Sequence, residues 1–318
     1  MARYVRVAAI SIHPRSIKDK PADQNVFDYV IGWLKQEIQQ VLPEKPDLIV
    51  IPECCDRPRD LTAEEVRAYY ASRNDEVQNF LRSVAKENHC YLAYGYAREA
   101  EDGFRRNSCI MIDREGNIMG AYDKNFPTVP EKPWYNILPG DEAHIFECDF
   151  GRVGAVICFD LNFEEIRAKY KKEKPDIMVF PSNFGGGMMR NFFAYDTQSH
   201  FVAACGWLCP AEVINPMGET LTVTGLNSYY NYVIQDINLD CAVVHLDYNK
   251  AKIRVAQDKY GSKLTMRVGG FLGVVMLSCE SEDMTVHDII KEFDIEYLDD
   301  YLARSRADIA KNLEEMKK

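Results

Sequence analysis

The chain has 318 residues, 47% of them hydrophobic and 27% charged, with a formal net charge of -11. That is enough apolar material for one large folded domain or two ordinary ones, and the acidic balance argues against a nucleic-acid-binding face. No apolar run reaches the roughly 18 residues a membrane span needs, and the residues from Met1 to Ile10 lack the apolar core and cleavage site of a signal peptide.

Val5 to Ile10 reads as a buried strand. Val26, Tyr29, Val30, Trp33, Leu34, Ile38 and Val41 then recur at helical spacing, and Pro43 and Pro46 close that helix. Asp47 to Ile51 is a second buried strand, ending on Pro52 and Glu53. The opening is therefore β-α-β, a parallel pair with a crossover helix. A glutamate is usually a solvated loop acid. At a buried strand end it is also a candidate proton acceptor, with burial expected to raise its pKa.

Leu61 to Tyr70 and Glu76 to Asn88 have helical spacing, and Tyr91 to Ala97 is a strand. Ser108 to Ile112 and Ile118 to Tyr122 form a hairpin around Asp113, Gly116 and Asn117, which makes the sheet mixed. Lys124 follows that strand. If it faces the same pocket as Glu53, its ammonium can stabilise a thiolate or an oxyanion. A long loop from Pro127 to Gly140 carries Glu131, Trp134 and Tyr135; loops of this length are often functional.

Val153 to Ile157 is a short β-branched strand pattern, followed by Cys158, Phe159, Asp160 and a helix pattern near Phe163. A thiol at the C-terminal end of a strand, before a helix, stands where an open α/β sheet places a ligand. Asp176 to Phe180 is another buried strand, ending on Pro181, Ser182, Asn183 and Phe184. A helix over 190–199, a strand over 201–204, a hairpin over 212–224 and a strand over 241–247 follow. The spacing assigns 1–250 to one domain and 251–318 to a polar extension, an arm or packing helix. Four of the 10 cysteines (Cys109, Cys158, Cys205, Cys241) lie in strand-like runs, so reduced thiols in the cytoplasm are expected. Cys54 and Cys55 are adjacent, and Cys205 and Cys209 have no histidine pair at ligand spacing, so no metal site is expected.

Pro52-Glu53, Tyr122-Asp123-Lys124 and Gly154 to Glu165 (GAVICFDLNFEE) stand in this order, with Pro181-Ser182-Asn183 and Asn215-Pro216-Met217-Gly218 beyond them. In these segments the chain resembles the nitrilase, or carbon-nitrogen hydrolase, superfamily, over roughly Val5 to Asp247. The resemblance implies a four-layer αββα sandwich with mixed sheets and cofactor-free hydrolysis of a non-peptide C–N bond, commonly an amide. It also implies a small-molecule amide or nitrile as partner, neither nucleic acid nor membrane, and a homodimer or higher homo-oligomer. It assigns Glu53 as proton acceptor, Cys158 as nucleophile, Lys124 and the Phe159 N–H as oxyanion donors, and Glu131 as a second acid. Trp134, Tyr135, Asn183 and Phe184 join Phe159 as substrate-side candidates, with Phe126 as a further wall. A nitrilase, an N-acyltransferase or a binding module on the same fold are the alternatives. Glu164 stands where the family usually has a proline, and the usual arginine-and-acid helix is not plain in 193–199.

Overall fold

In a computed structural model, which describes residues 3–207, 209–225, 230–270 and 272–317, the chain divides into two compact units. The first spans 5–237 and holds two six-stranded sheets.

The first sheet opens with β1 (Tyr4–Ile10), α1 (Val26–Gln39) and β2 (Leu48–Ile51). α2 (Ala63–Ser72) and α3 (Glu76–Asn88) lead to β3 (Tyr91–Glu99), then to the hairpin β4 (Arg105–Ile112) and β5 (Ile118–Asp123). β1, β2 and β3 run parallel, whereas β4 and β5 are antiparallel. The Asn25 side chain caps α1 by accepting from the Phe27 N–H at 2.7 Å. Its apolar stripe (Phe27, Val30, Trp33, Leu34, Ile38) is buried on the outer face of the sheet.

The second sheet repeats the plan. After the short helix α4 (Glu131–Tyr135) come β6 (Ile145–Cys148), β7 (Gly151–Ala155), α5 (Glu164–Glu173), β8 (Ile177–Ser182) and α6 (Met188–Thr197). β9 (His200–Cys205), β10 (Glu212–Ile214) and β11 (Thr220–Val223) complete it. β7, β8 and β9 are parallel and the outer strands antiparallel. β12 (Tyr232–Asn238) returns to the first sheet beside β1.

The two sheets pack face to face, with β2 and β3 across β8 and β9. β2 is buried at all four positions. Ile49 and Ile51 sit in the helix-side core, so the alternating Leu48 and Val50 look the other way, toward the second sheet. A strand buried on both faces reads as a continuous apolar run, which is why LIVI is legible. The architecture is the mixed α/β sandwich that the family resemblance implied.

The second unit comprises residues 3–4 and the chain from 238 onward. It contains β13 (Cys241–His245), α7 (Lys250–Tyr260), β14 (Leu264–Val268), β15 (Val274–Cys279), α8 (Val286–Glu292) and α9 (Leu298–Glu315). Its strands form a three-stranded antiparallel sheet in the order β13-β15-β14 over a core of Val244, Ile253, Val275, Leu277, Ile289 and Ile290. The sequence boundary at 250 thus falls inside this unit, because β13 pairs with β15. The 251–318 stretch carries two further strands and its own core rather than a single arm. β14 (LTMRV) alternates apolar and polar residues and is exposed at 265–268.

Candidate active site

Glu53 follows β2, Lys124 follows β5, and Cys158 follows the extended pair Val156–Ile157 after β7. The chain at Glu53 lies hard against β3. A Cβ added at Gly95 would stand 2.4 Å from the Glu53 Cα, so position 95 takes no larger residue without moving Glu53. Cys158 has φ 49°, a left-handed conformation that costs a non-glycine residue about 1–3 kcal/mol and turns the side chain out of the strand.

The side chains converge. Lys124 Nζ donates to Glu53 Oε1 at 3.1 Å and to Glu131 Oε2 at 2.9 Å. Asn107 Nδ2 bridges the same two carboxylates, at 2.6 Å to Glu53 and 2.9 Å to Glu131. The Asn183 N–H donates to Glu53 Oε2 at 3.0 Å, and the Thr128 N–H and hydroxyl to Glu131 Oε2 at 2.6 and 3.0 Å. The Cys158 thiol reaches Glu53 and the Asn183 N–H. Glu53, Lys124, Glu131 and Asn107 are buried, while Cys158 is only partly covered.

Burial alone would push the Glu53 carboxyl up, as expected from the sequence. The structure reverses that expectation: the Lys124 ammonium and the Asn107 and Lys124 hydrogen bonds outweigh burial and hold it below its ordinary value. Burial likewise opposes the Lys124 charge, yet Glu53, Cys158 and Glu131 hold its pKa up. Burial, then the Glu53 anion, push the Cys158 thiol up. The resting arrangement is an ionised acid, an ammonium and a neutral thiol beside the acid.

Tyr135 lies on α4, one turn from Glu131, with the Arg57 guanidinium 5.2 Å from its ring centroid. Trp134 is 51% exposed, and Phe159 and Phe184 are partly exposed. Phe126 stacks on Phe163 with centroids 3.9 Å apart. None of these aromatic rings makes a described polar contact to the acid–lysine cluster. Asn183 does, through its backbone N–H and through its side-chain amide, which donates to the Glu53 carbonyl at 3.1 Å.

Asn107, Thr128 and Asp160 were not singled out by sequence. Asn107 stands behind two arginines at the polar start of β4, where nothing marks it. Asp160 is fully buried and accepts from Tyr122 OH at 2.7 Å, the Phe126 N–H at 2.8 Å and the Ile157 N–H at 3.0 Å. It ties the lysine loop to the cysteine turn. An arginine–acid pair also exists, but across two elements. Arg190 of α6 meets Glu212 of β10 at 3.1 Å, both buried, so a search along one helix could not find it.

Burial holds the Asp160 carboxyl up at about 6, from an ordinary 3.8, despite its three donors. Between these values the folded chain holds this proton more tightly than the unfolded chain does. The group's contribution is therefore complete below about pH 4 and is lost as pH rises through about 6. Asp160→Asn removes the titration. The melting temperature of the variant, relative to wild type, is expected to rise between pH 4 and pH 7; a constant or falling difference contradicts this.

Two sheets flanked by helices, with an acid, a lysine and a thiol at converging strand ends, define the nitrilase-superfamily class of fold. The carbon-nitrogen hydrolase family model matches residues 6–221, and the chain belongs to that family. Among curated relatives, the human omega-amidase NIT2 is 26% identical over 226 residues, covering 64% of this chain and 80% of that protein. Among solved structures, Saccharomyces cerevisiae Nit3, a member of the nitrilase superfamily, superposes with TM-score 0.63 at 15% identity, covering 78% and 94% of the two chains. A mutant amidase from Nesterenkonia sp. AN1, with the acetamide moiety of fluoroacetamide added covalently at its active-site cysteine, gives TM-score 0.59 at 15% identity, covering 74% and 90%.

Proposed function

We propose that this carbon-nitrogen hydrolase is an amidase acting on a small amide through a thioester on Cys158. The observation that carries the reading is the buried Glu53–Lys124–Glu131 cluster with the Cys158 thiol beside Glu53. The omega-amidase and amidase relatives support it.

Amide carbonyls are weak electrophiles, and a thiolate is a strong nucleophile once its proton has a place to go. Cys158 Sγ attacks the carbonyl carbon while Glu53 takes the thiol proton. The oxyanion is held by Lys124 Nζ, whose third N–H remains after its bonds to Glu53 and Glu131, and by the Phe159 N–H. Glu53 passes the proton to the substrate nitrogen, the C–N bond breaks, and ammonia or an amine leaves. Water then attacks the thioester and gives a proton to Glu53, the C–S bond breaks, and the proton returns to Sγ. Glu131, fixed by Thr128 and Asn107, positions Lys124. Phe159, Trp134, Tyr135 and Phe184 are the walls around the acyl group, with Phe126 behind the lysine loop. Copies paired as a homo-oligomer and a cytoplasmic setting belong to the same reading.

Ammonia release from matched primary amides and nitriles tests the reading. Amide kcat/KM is expected to exceed nitrile kcat/KM by at least about 100-fold. Faster nitrile turnover makes the protein a nitrilase. Transfer of the acyl group to an added amine in preference to water makes it an acyltransferase.

A further inference from the structure

The three-stranded sheet of the C-terminal unit lies outside residues 6–221, the stretch that matches the family model, and its two edges are unlike. At the β13 edge, Val244 forms an antiparallel bridge with Tyr297. At the β14 edge no described strand follows. Open strand edges are normally blunted by a proline, a bulge or an inward-pointing charge. β14 (LTMRV) has no proline, and its register with β15 runs unbroken from Leu264 opposite Cys279 to Val268 opposite Val275.

Residues directly opposite in an antiparallel pair share a face. Leu264, Met266 and Val268 stand opposite Cys279, Leu277 and Val275, all three of them core residues of this unit. Leu264 is buried there too, but Met266 is 37% and Val268 53% exposed. The apolar face of the sheet therefore runs on, uncovered, to its open edge. Leu272 adds a further exposed apolar side chain from the hairpin loop. Thr265 and Arg267, the polar residues of the strand, lie on the other face.

The backbone is aimed outward at the same residues. The Glu280 N–H donates to the Lys263 carbonyl at 2.8 Å, so positions 263 and 280 form a hydrogen-bonded pair of the ladder. Such pairs alternate along an antiparallel ladder. Thr265 and Arg267 therefore turn their backbone groups toward β15, and Leu264, Met266 and Val268 turn theirs away from it. The Leu264 N–H is taken by the Gly261 carbonyl. Among the described residues, the outward groups of Met266 and Val268 meet no backbone partner.

We propose that a second copy of this chain pairs with β14, antiparallel and edge to edge about a two-fold axis at Met266, so that two three-stranded sheets become one of six strands. The strand is self-complementary in that register. Leu264 meets Val268 of the second copy, and Met266 meets its own counterpart, so apolar side chains face apolar ones and outward backbone groups meet outward groups. Arg267 meets Thr265. Moving the axis to 265 sets Lys263 against Arg267, and moving it to 267 sets Arg267 against its counterpart; like charges directly opposite are destabilising. A half-step puts the apolar residues of one strand beside the polar residues of the other. The contact is isologous, so it closes on itself.

The test uses the full chain, and turnover plays no part in it. Sedimentation velocity from about 1 to 100 µM, a range suited to a small interface, reads the mass of the assembly. Met266→Lys and Met266→Glu are each expected to halve that mass, because position 266 then faces a like charge. An equimolar mixture of the two is expected to restore it, because lysine then faces glutamate. Melting temperatures near that of wild type show that the variants fold. Met266→Cys carries no charge and is expected to give a crosslinked dimer on mild oxidation, since Cα atoms of a hydrogen-bonded pair stand about 5.5 Å apart, within reach of a disulfide. Wild type, with its 10 cysteines, is the control for that crosslink. A monomeric wild type, a mass unchanged in both charged variants, no recovery in their mixture, or no crosslink in Met266→Cys beyond that of wild type overturns the proposal.

Discussion

Cys158→Ala is expected to lower amide turnover at least about 10⁴-fold while leaving the protein folded. The thiol makes the only bond to the acyl carbon in the proposed sequence, and no other side chain at the cluster can replace it. Glu53 and Glu131 are held by donors, Lys124 is an ammonium between two acids, and no described hydrogen bond joins the Cys54 thiol to a carboxylate that could take its proton. The substitution removes one sulfur from a partly covered position, so its structural cost is small. Ammonia release and the melting temperature, measured on the same preparations, check both halves. More than about 1% residual turnover in the variant contradicts the assignment.

Lys124→Met is the change with the largest effect on the fold as well as the chemistry. The lysine is 1% exposed and is the cation for two buried carboxylates. Removing one member of a buried ion-paired set typically costs about 3–5 kcal/mol, because the remaining charges stay in the interior without a partner. At roughly 2–4 °C per kcal/mol for a unit of this size, the melting temperature is expected to fall by about 10 °C. Loss of the proposed oxyanion donor is expected to lower kcat about 100- to 1000-fold in addition. Adding Glu131→Leu to Lys124→Met removes one of the stranded acids and is expected to restore part of the stability and none of the activity. A Lys124→Met protein as stable as wild type would mean that the lysine does not hold the acids together. Thermal denaturation and steady-state kinetics on the three proteins decide between these outcomes.

Glu53, Lys124 and Cys158 were individually legible because each follows a strand that shows itself. LIVI before Glu53 and Val153 to Ile157 before Cys158 carry no polar side chain and are buried at every position. The residues that organise them left no comparable trace. Asn107 is a polar residue at a polar strand start, and its importance lies in two carboxylates 54 and 24 positions away. Asp160 was visible only as one letter of a motif. Its grip on Tyr122, Phe126 and Ile157 depends on the hairpin and the cysteine turn lying side by side, a tertiary fact. The pKa of Glu53 was misread for the same reason: burial can be inferred from a strand end, but the four donors around the carboxylate cannot. The C-terminal unit was read too simply: β14 (LTMRV) does alternate apolar and polar residues, but it is only five residues long and lies in a stretch taken as polar throughout.

The most direct measurement is intact-protein mass spectrometry of wild type and Cys158→Ala, quenched in acid milliseconds after mixing with excess amide, with peptide mapping of any adduct. Wild type should gain the mass of the acyl group on the peptide that carries Cys158, with ammonia released in the same interval, and the alanine variant should gain nothing. Turnover of the amide with no acyl mass on that peptide, or the same adduct on the alanine variant, would contradict the account.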